Sequence, residues 1–329
     1  MGKPPAVLRG APIDANQLTT YLRDHVAPPS AGAVVRNGGV VVATDRVDET
    51  ADFEVGSVSK AVTGLLYADA LDRGEVATDT TLGELLPLAG APAAEVRLAD
   101  LAVHRSGLPR LPAAMHPWRR TFVMLRDGTN PYGDTLAELL EQVRTAKVGR
   151  PRPAYSNLGF MLLGHAVAAA AGTTYRDLVR TRITEPLDLD GFYVAERVEQ
   201  LSGKAVEGRS RRGRPRDPWV GEGLGPAGGI RATVTSVARL LAAVLDGTAP
   251  GTRALDPVAP LAGKAVRIGA GWVTLEKRGR EIAWHNGGTG GFRSWVGVDR
   301  AAGTGAVVLS ARTRSVDRAG LELLGRTTG

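Results

Sequence analysis

Ser57-Val58-Ser59-Lys60, set directly after Gly56 and the strand-like run 52–55, is the stretch from which the fold can be worked out. It pairs a hydroxyl with an amine at i, i+3 spacing, and on the first turn of a helix residues three apart share one face. Lys60 is therefore within reach of the Ser57 proton, whereas Ser59, next to Lys60 in the chain, would point elsewhere. A helix N-terminus beneath Ser57 also favours negative charge developing there. The plainer alternative is a capping serine followed by a solvated lysine, and the spacing alone does not separate the two.

Working outward, Val58, Val62, Leu65 and Leu66 form the apolar stripe of the helix that Ser57 opens. Upstream, 16–26 reads as a first helix with Leu18, Tyr21, Leu22 and His25 on a common face. A hairpin follows, in which 33–36 and 40–43 flank Asn37-Gly38-Gly39, residues that tolerate the positive φ of tight turns. From 79 to 260 the pattern is mainly helical, with helices predicted at 82–86, 98–103, 136–143, 157–171 and 234–245. The last part reverts to strands at 271–276, 280–284, 292–298 and 305–310, closed by a helix at 316–324. The expected architecture is one α/β domain, an antiparallel sheet flanked by helices. Its α/β lobe comes from 1–78 and 261–329, and a mostly helical lobe, 79–260, is inserted between them.

With 329 residues and 43% hydrophobic content, the chain can bury a sizeable core. Its formal charge of +7 is concentrated in 209–216, where Arg209, Arg211, Arg212, Arg214 and Arg216 gather. Such a run can mark a nucleic-acid or acidic-ligand patch. Here it lacks interleaved aromatics and is broken by Gly213 and Pro215, so a solvated surface loop and no nucleic-acid partner are expected. The absence of cysteine excludes disulfides, thiolate metal sites and cysteine nucleophiles. His25, His104, His116, His165 and His285 lack the paired spacing of a zinc set, and the glycines of 223–229 follow no clear strand, so neither metal nor cofactor is expected. No apolar segment has the length of a signal peptide or a membrane span. The expectation is a soluble cytoplasmic protein without a membrane partner, or an exported one if the natural N-terminus is longer.

Two further motifs carry chemistry: Tyr155-Ser156-Asn157 after Pro151 and Pro153, and His285-Asn286-Gly287-Gly288 after the alternating run 281–284. The order S-x-x-K, Y-x-N, H-x-G resembles the serine β-lactamase and penicillin-binding-protein superfamily. The match is closest to its class C branch of β-lactamases, D-alanyl-D-alanine carboxypeptidases, family VIII esterases and several acyltransferases. The phrases His104-Arg105-Ser106-Gly107-Leu108-Pro109, Gly225-Pro226-Ala227-Gly228-Gly229-Ile230 and Thr289-Gly290-Gly291-Phe292 look familiar too, and the resemblance spans about 15–325. It implies a β-lactamase-like fold and acyl transfer through a covalent serine intermediate. Hydrolysis of a small-molecule ester or amide is the default. A biosynthetic acyltransferase is the alternative, and a non-catalytic ligand-binding protein is the rival of another kind.

The resemblance implies roles residue by residue. Ser57 is the nucleophile, and Lys60 acts as a neutral amine or as a fixed cation beside Tyr155. Tyr155 relays protons between nucleophile and leaving group, unless it is only an aromatic at the pocket lip packed on Pro153. Asn157 bonds Lys60 and the substrate acyl side chain, or merely caps a helix. His285, where many relatives carry lysine, lines the cleft beside Tyr155 without being the base; the alternative is a strand histidine facing solvent. Gly287 and Gly288 let substrate lie along the strand edge, with the N–H groups of Gly288 and Ser57 as the oxyanion hole, and Asn286 flanks the cleft. A Ser-His triad from His104 and Ser106 is disfavoured, because their phrase resembles a structural helix-end segment of the family. Specificity falls to the loops 110–132 and 203–222.

Overall fold

The computed structural model describes residues 13–111, 122–124, 126–263, 265–277 and 279–327. The first ten residues, His116 and part of the 110–132 loop lie outside them. The first helix, α1 (Ala15–His25), is entered through a capping box between Asp14 and Gln17 and buries Leu18, Tyr21 and Leu22. His25, expected on that face, is exposed. Next, β1 (Ser30–Arg36) and β2 (Gly39–Asp45) form the predicted hairpin, turning at Asn37 (φ 48°) and Gly38 (φ 78°). The short β3 (Asp52–Glu54) then leads through a 3-10 turn, Gly56–Val58, into α2 (Ser59–Asp72).

The middle of the chain carries α3 (Leu82–Leu85), α4 (Leu98–Ala102), α5 (Leu136–Arg144), α6 (Asn157–Ala170) and α7 (Tyr175–Val179). It also holds β4 (Tyr193–Val194), α8 (Gly225–Gly228), β5 (Ile230–Thr233) and α9 (Val234–Asp246). The C-terminal part supplies β6 (Ala259–Ala262), β7 (Val266–Ile268), β8 (Val273–Lys277), β9 (Arg280–Gly288), β10 (Arg293–Asp299), β11 (Thr304–Ser310) and α10 (Asp317–Thr327). Eight strands form one antiparallel sheet in the order β2-β1-β11-β10-β9-β8-β7-β6, so both ends of the chain share it. β11 is buried along its whole length. One sheet face is covered by α1 and α10 around Trp295; the other packs on α9 and is continuous with the core around α2 and α6.

Two expectations change. The helical lobe does not extend to 260, because α9 lays Val237, Leu240, Leu241 and Val244 against β1 and β11 and so belongs to the sheet's own flanking layer. The middle region also supplies β4 and β5 to a three-stranded sheet, β3-β5-β4, whose third strand comes from the N-terminal part; buried Arg231 clamps it, pairing with Asp52 and with Glu54 at 3.2 Å. The arginine run is the expected solvated surface loop, with Arg211, Arg212 and Arg214 exposed, and 209–216 is folded there as a tight hairpin pinned to the end of β11. No single helix among the described residues is long and apolar enough to cross a membrane.

Candidate active site

α2 and α6 pack side by side in the core, and their N-terminal ends bring the first two motifs together. Ser57 lies in the 3-10 turn ahead of α2 and not inside it, and its side chain caps neither element. The capping alternative for Ser57 therefore fails. Lys60 is fully buried, with Nζ 3.1 Å from Ser57 Oγ and donating at 2.6 Å to the Ala227 carbonyl. Burial pushes the Lys60 ammonium below its ordinary range; Tyr155 opposes that shift and the charge of Arg110 adds to it. Ser59 is also fully buried, and its hydroxyl accepts from the Ile230 N–H.

Tyr155 donates its hydroxyl to Ser57 Oγ at 2.9 Å and stays 40% exposed, so its phenol is open to a substrate. A strap formed by 104–110 sets its position. Ala154 N–H donates to His104 O, Ser156 N–H to His104 Nδ1, Ser156 Oγ to Pro109 O and Leu158 N–H to Arg110 O. Accepting at Nδ1 leaves the imidazole proton on Nε2, and burial drives the His104 pKa well below the ordinary histidine value. The His104 ring packs 4.5 Å from the Tyr155 ring. His104 is thus a support for Tyr155, consistent with the structural reading of its phrase.

Asn157 is the first residue of α6, but the capping side chain is Ser156, whose Oγ accepts from Gly159 N–H. Its amide donates to the Tyr132 hydroxyl at 3.4 Å, while the hydrogen bonds of Lys60 go to Ser57 and Ala227. The expected bond between Asn157 and Lys60 is replaced by these. The buried Oδ1 of Asn157 has no protein partner.

The third motif is part of β9, which runs on past the expected end at 284: Gly287 and Gly288 sit opposite Ser294 and Arg293 of β10. Strand alternation decides which side chains reach the cleft. His285 falls on the face of Ala283 and the main core, and it is buried. Its Nδ1–H donates to the Asn286 carbonyl at 2.6 Å. Burial, then the nearby Lys60 charge, lower the His285 pKa to about 3. It is therefore a neutral ring near Lys60 and not a solvent-facing one. Asn286 falls on the opposite face, with Trp284, and donates to Asp317 at the start of α10. It does not flank the cleft, and that expectation is corrected.

The two backbones meet at glycines. Gly56 holds φ +51°, and a Cβ there would stand 2.7 Å from Gly288 N. A Cβ on Gly287 would stand 2.1 Å from Val55 O and 3.0 Å from Ser57 N. Only bare backbone lets the β9 strand close on the nucleophile turn, which brings the Ser57 and Gly288 amides into one neighbourhood. The α8 phrase supplies the Ala227 carbonyl to Lys60 and the Pro226 carbonyl to Thr63. That contribution, like the Arg110 guanidinium 5.8 Å over the Tyr155 ring, has no side-chain pattern by which a sequence reading would find it. Among the described residues no group of three His, Asp or Glu side chains is placed to hold a metal ion.

Comparison with known proteins bears on the family and the fold. The family profile described as Beta-lactamase matches residues 16–326. The chain is 27% identical over 310 residues to "Penicillin-binding protein 4" of Amycolatopsis lactamdurans, covering 85% of this chain and 76% of that one. It is 26% identical over 286 residues to "D-alanyl-D-alanine-carboxypeptidase/endopeptidase AmpH" of Escherichia coli K12, covering 79% and 70%. The fold superposes on a class C beta lactamase from Rhodobacter sphaeroides with a TM-score of 0.72 at 21% identity, covering 90% and 92%.

Proposed function

The chain belongs to the beta-lactamase family, and on that premise we propose that it hydrolyses an ester or amide through an acyl-enzyme on Ser57. The observation that carries the proposal is the convergence of Lys60 Nζ and Tyr155 OH on one oxygen, at 3.1 and 2.9 Å. Burial lowers the proton affinity of Lys60, and in this reading the neutral amine is the reactive form. One N–H holds the Ala227 carbonyl, and the neutral form can take the Ser57 proton across the 3.1 Å contact.

Ser57 Oγ attacks the carbonyl carbon while its proton passes to Lys60 Nζ. The carbonyl oxygen becomes an oxyanion, for which the Ser57 and Gly288 N–H groups are the proposed donors. Collapse of this intermediate breaks the bond to the leaving alcohol or amine, which takes the Tyr155 proton. The Lys60 ammonium then reprotonates the phenolate and returns to the neutral amine. Water discharges the acyl group by the reverse route: its proton goes to the same relay, and Ser57 Oγ leaves with one. His285 and Asn157 line this cleft and shape its polarity.

Two relatives carry names that refer to penicillin binding and to D-alanyl-D-alanine peptides, which makes a D-Ala-D-Ala peptide the first amide to try. Intact-mass measurement after mixing with that peptide, nitrocefin and p-nitrophenyl butyrate tests the proposal. An adduct with the mass of one acyl group, lost in Ser57→Ala, is expected. Turnover without any adduct and undiminished in Ser57→Ala would rule it out.

A further inference from the structure

The arginine run that the catalytic cleft leaves unused is held in a defined shape. Arg209 and Pro215 bridge antiparallel, and Ser210 N–H donates to Arg214 O at 2.8 Å. Arg209 also runs parallel to Arg312, its N–H shared at 3.2 Å between Gly291 O and Ala311 O. This docking sets Arg211 beside Arg312 and Arg314, and with Ala27 and Pro28 they line a cavity of about 340 Å³. Arg312 is fixed there by donating Nε to Pro28 O at 3.0 Å.

Arg209 is paired with Glu207. Among the described residues no carboxylate pairs with Arg211, Arg212, Arg214, Arg312 or Arg314. Like charges gathered around one hollow repel one another, so such a cluster favours an anion that neutralises it. The cations are all guanidinium groups, whose planar forks match pairs of phosphoryl oxygens, and a concave wall of them suits a small ligand better than a flat polymer surface.

The pocket is separate from the Ser57 cleft. Gly288 faces Arg293, Arg293 faces Ser310 and Ser310 faces Ser30, so it lies two to three strand spacings, about 10–15 Å, across the same end of the sheet.

We propose that this pocket binds a small anion bearing two or more phosphoryl groups. Calorimetric titration of the full chain with sodium tripolyphosphate at low salt tests it. The expected result is saturable one-to-one binding, weakened at least tenfold in the double variant Arg211→Ala/Arg314→Ala. Binding should be unchanged in Arg239→Ala/Arg318→Ala, which removes the same charge elsewhere. No saturable binding, or equal weakening in both double variants, overturns the site. Capture by phosphatidylglycerol vesicles without binding of free tripolyphosphate would likewise overturn it, in favour of a membrane surface.

Discussion

In the proposed relay Lys60 is the residue on which the chemistry turns: a long amine with no exposed surface, held by one carbonyl and within hydrogen-bond distance of one hydroxyl. Burial lowers its pKa, and the reactive neutral form grows as pH rises through that lowered value. Single-turnover acylation of a p-nitrophenyl ester should therefore rise with pH along a limb lying below the ordinary lysine range. Lys60→Ala and Tyr155→Phe should each cut acylation by about a hundredfold or more, the usual scale for losing proton transfer. A variant of either residue with wild-type rate and pH profile would remove it from the relay. His285, its pKa lowered to about 3 by burial and then the Lys60 charge, is a weak base near neutral pH. His285→Ala should be impaired but still acylated, as read by intact mass; a loss as complete as that of Ser57→Ala would make the histidine the base.

At the scale of elements, S-x-x-K was legible because helix geometry fixes what three-residue spacing brings together, even though the first turn proves to be 3-10. The third motif was harder. Gly287 and Gly288 lower strand propensity, so the sequence reading ends the strand at 284; pairing with β10 carries β9 through them, and alternation then sends Asn286 to the α10 side. The α9 helix was found but misplaced, since an apolar period shows that a helix has a buried face and not what covers it. The glycine contact between β9 and the Ser57 turn gives its own prediction. Gly287→Ala would drive a methyl into Val55 O and Ser294 Oγ, and denaturant unfolding should show a loss of about 1–3 kcal/mol together with slowed acylation. Unchanged stability and rate would mean that the strand and the turn do not meet as described.

Across the whole molecule, buried histidines tie stability to pH. Burial first, against the pull of Glu222, lowers His165 to about 4, and its ring bonds the Glu222 carbonyl at 3.1 Å. The unfolded chain binds a proton there at about 6.5, so below that value the unfolded state gains protons that the native state refuses. The stability contribution is complete above about pH 6.5 and is lost as pH falls towards 4, up to about 3 kcal/mol for this one group. Urea unfolding between pH 7 and 5 should show that decline, and His165→Gln should shallow it; a variant with the wild-type slope would contradict the assignment.

The central claim is that this fold exists to present Ser57, and not its neighbour Ser59, to an acyl carbonyl. Labelling with a fluorophosphonate followed by peptide mass mapping tests it most directly. The adduct should map to Ser57 in the wild type, persist in Ser59→Ala and vanish in Ser57→Ala. An adduct on any other residue, or full labelling of Ser57→Ala, would contradict the account.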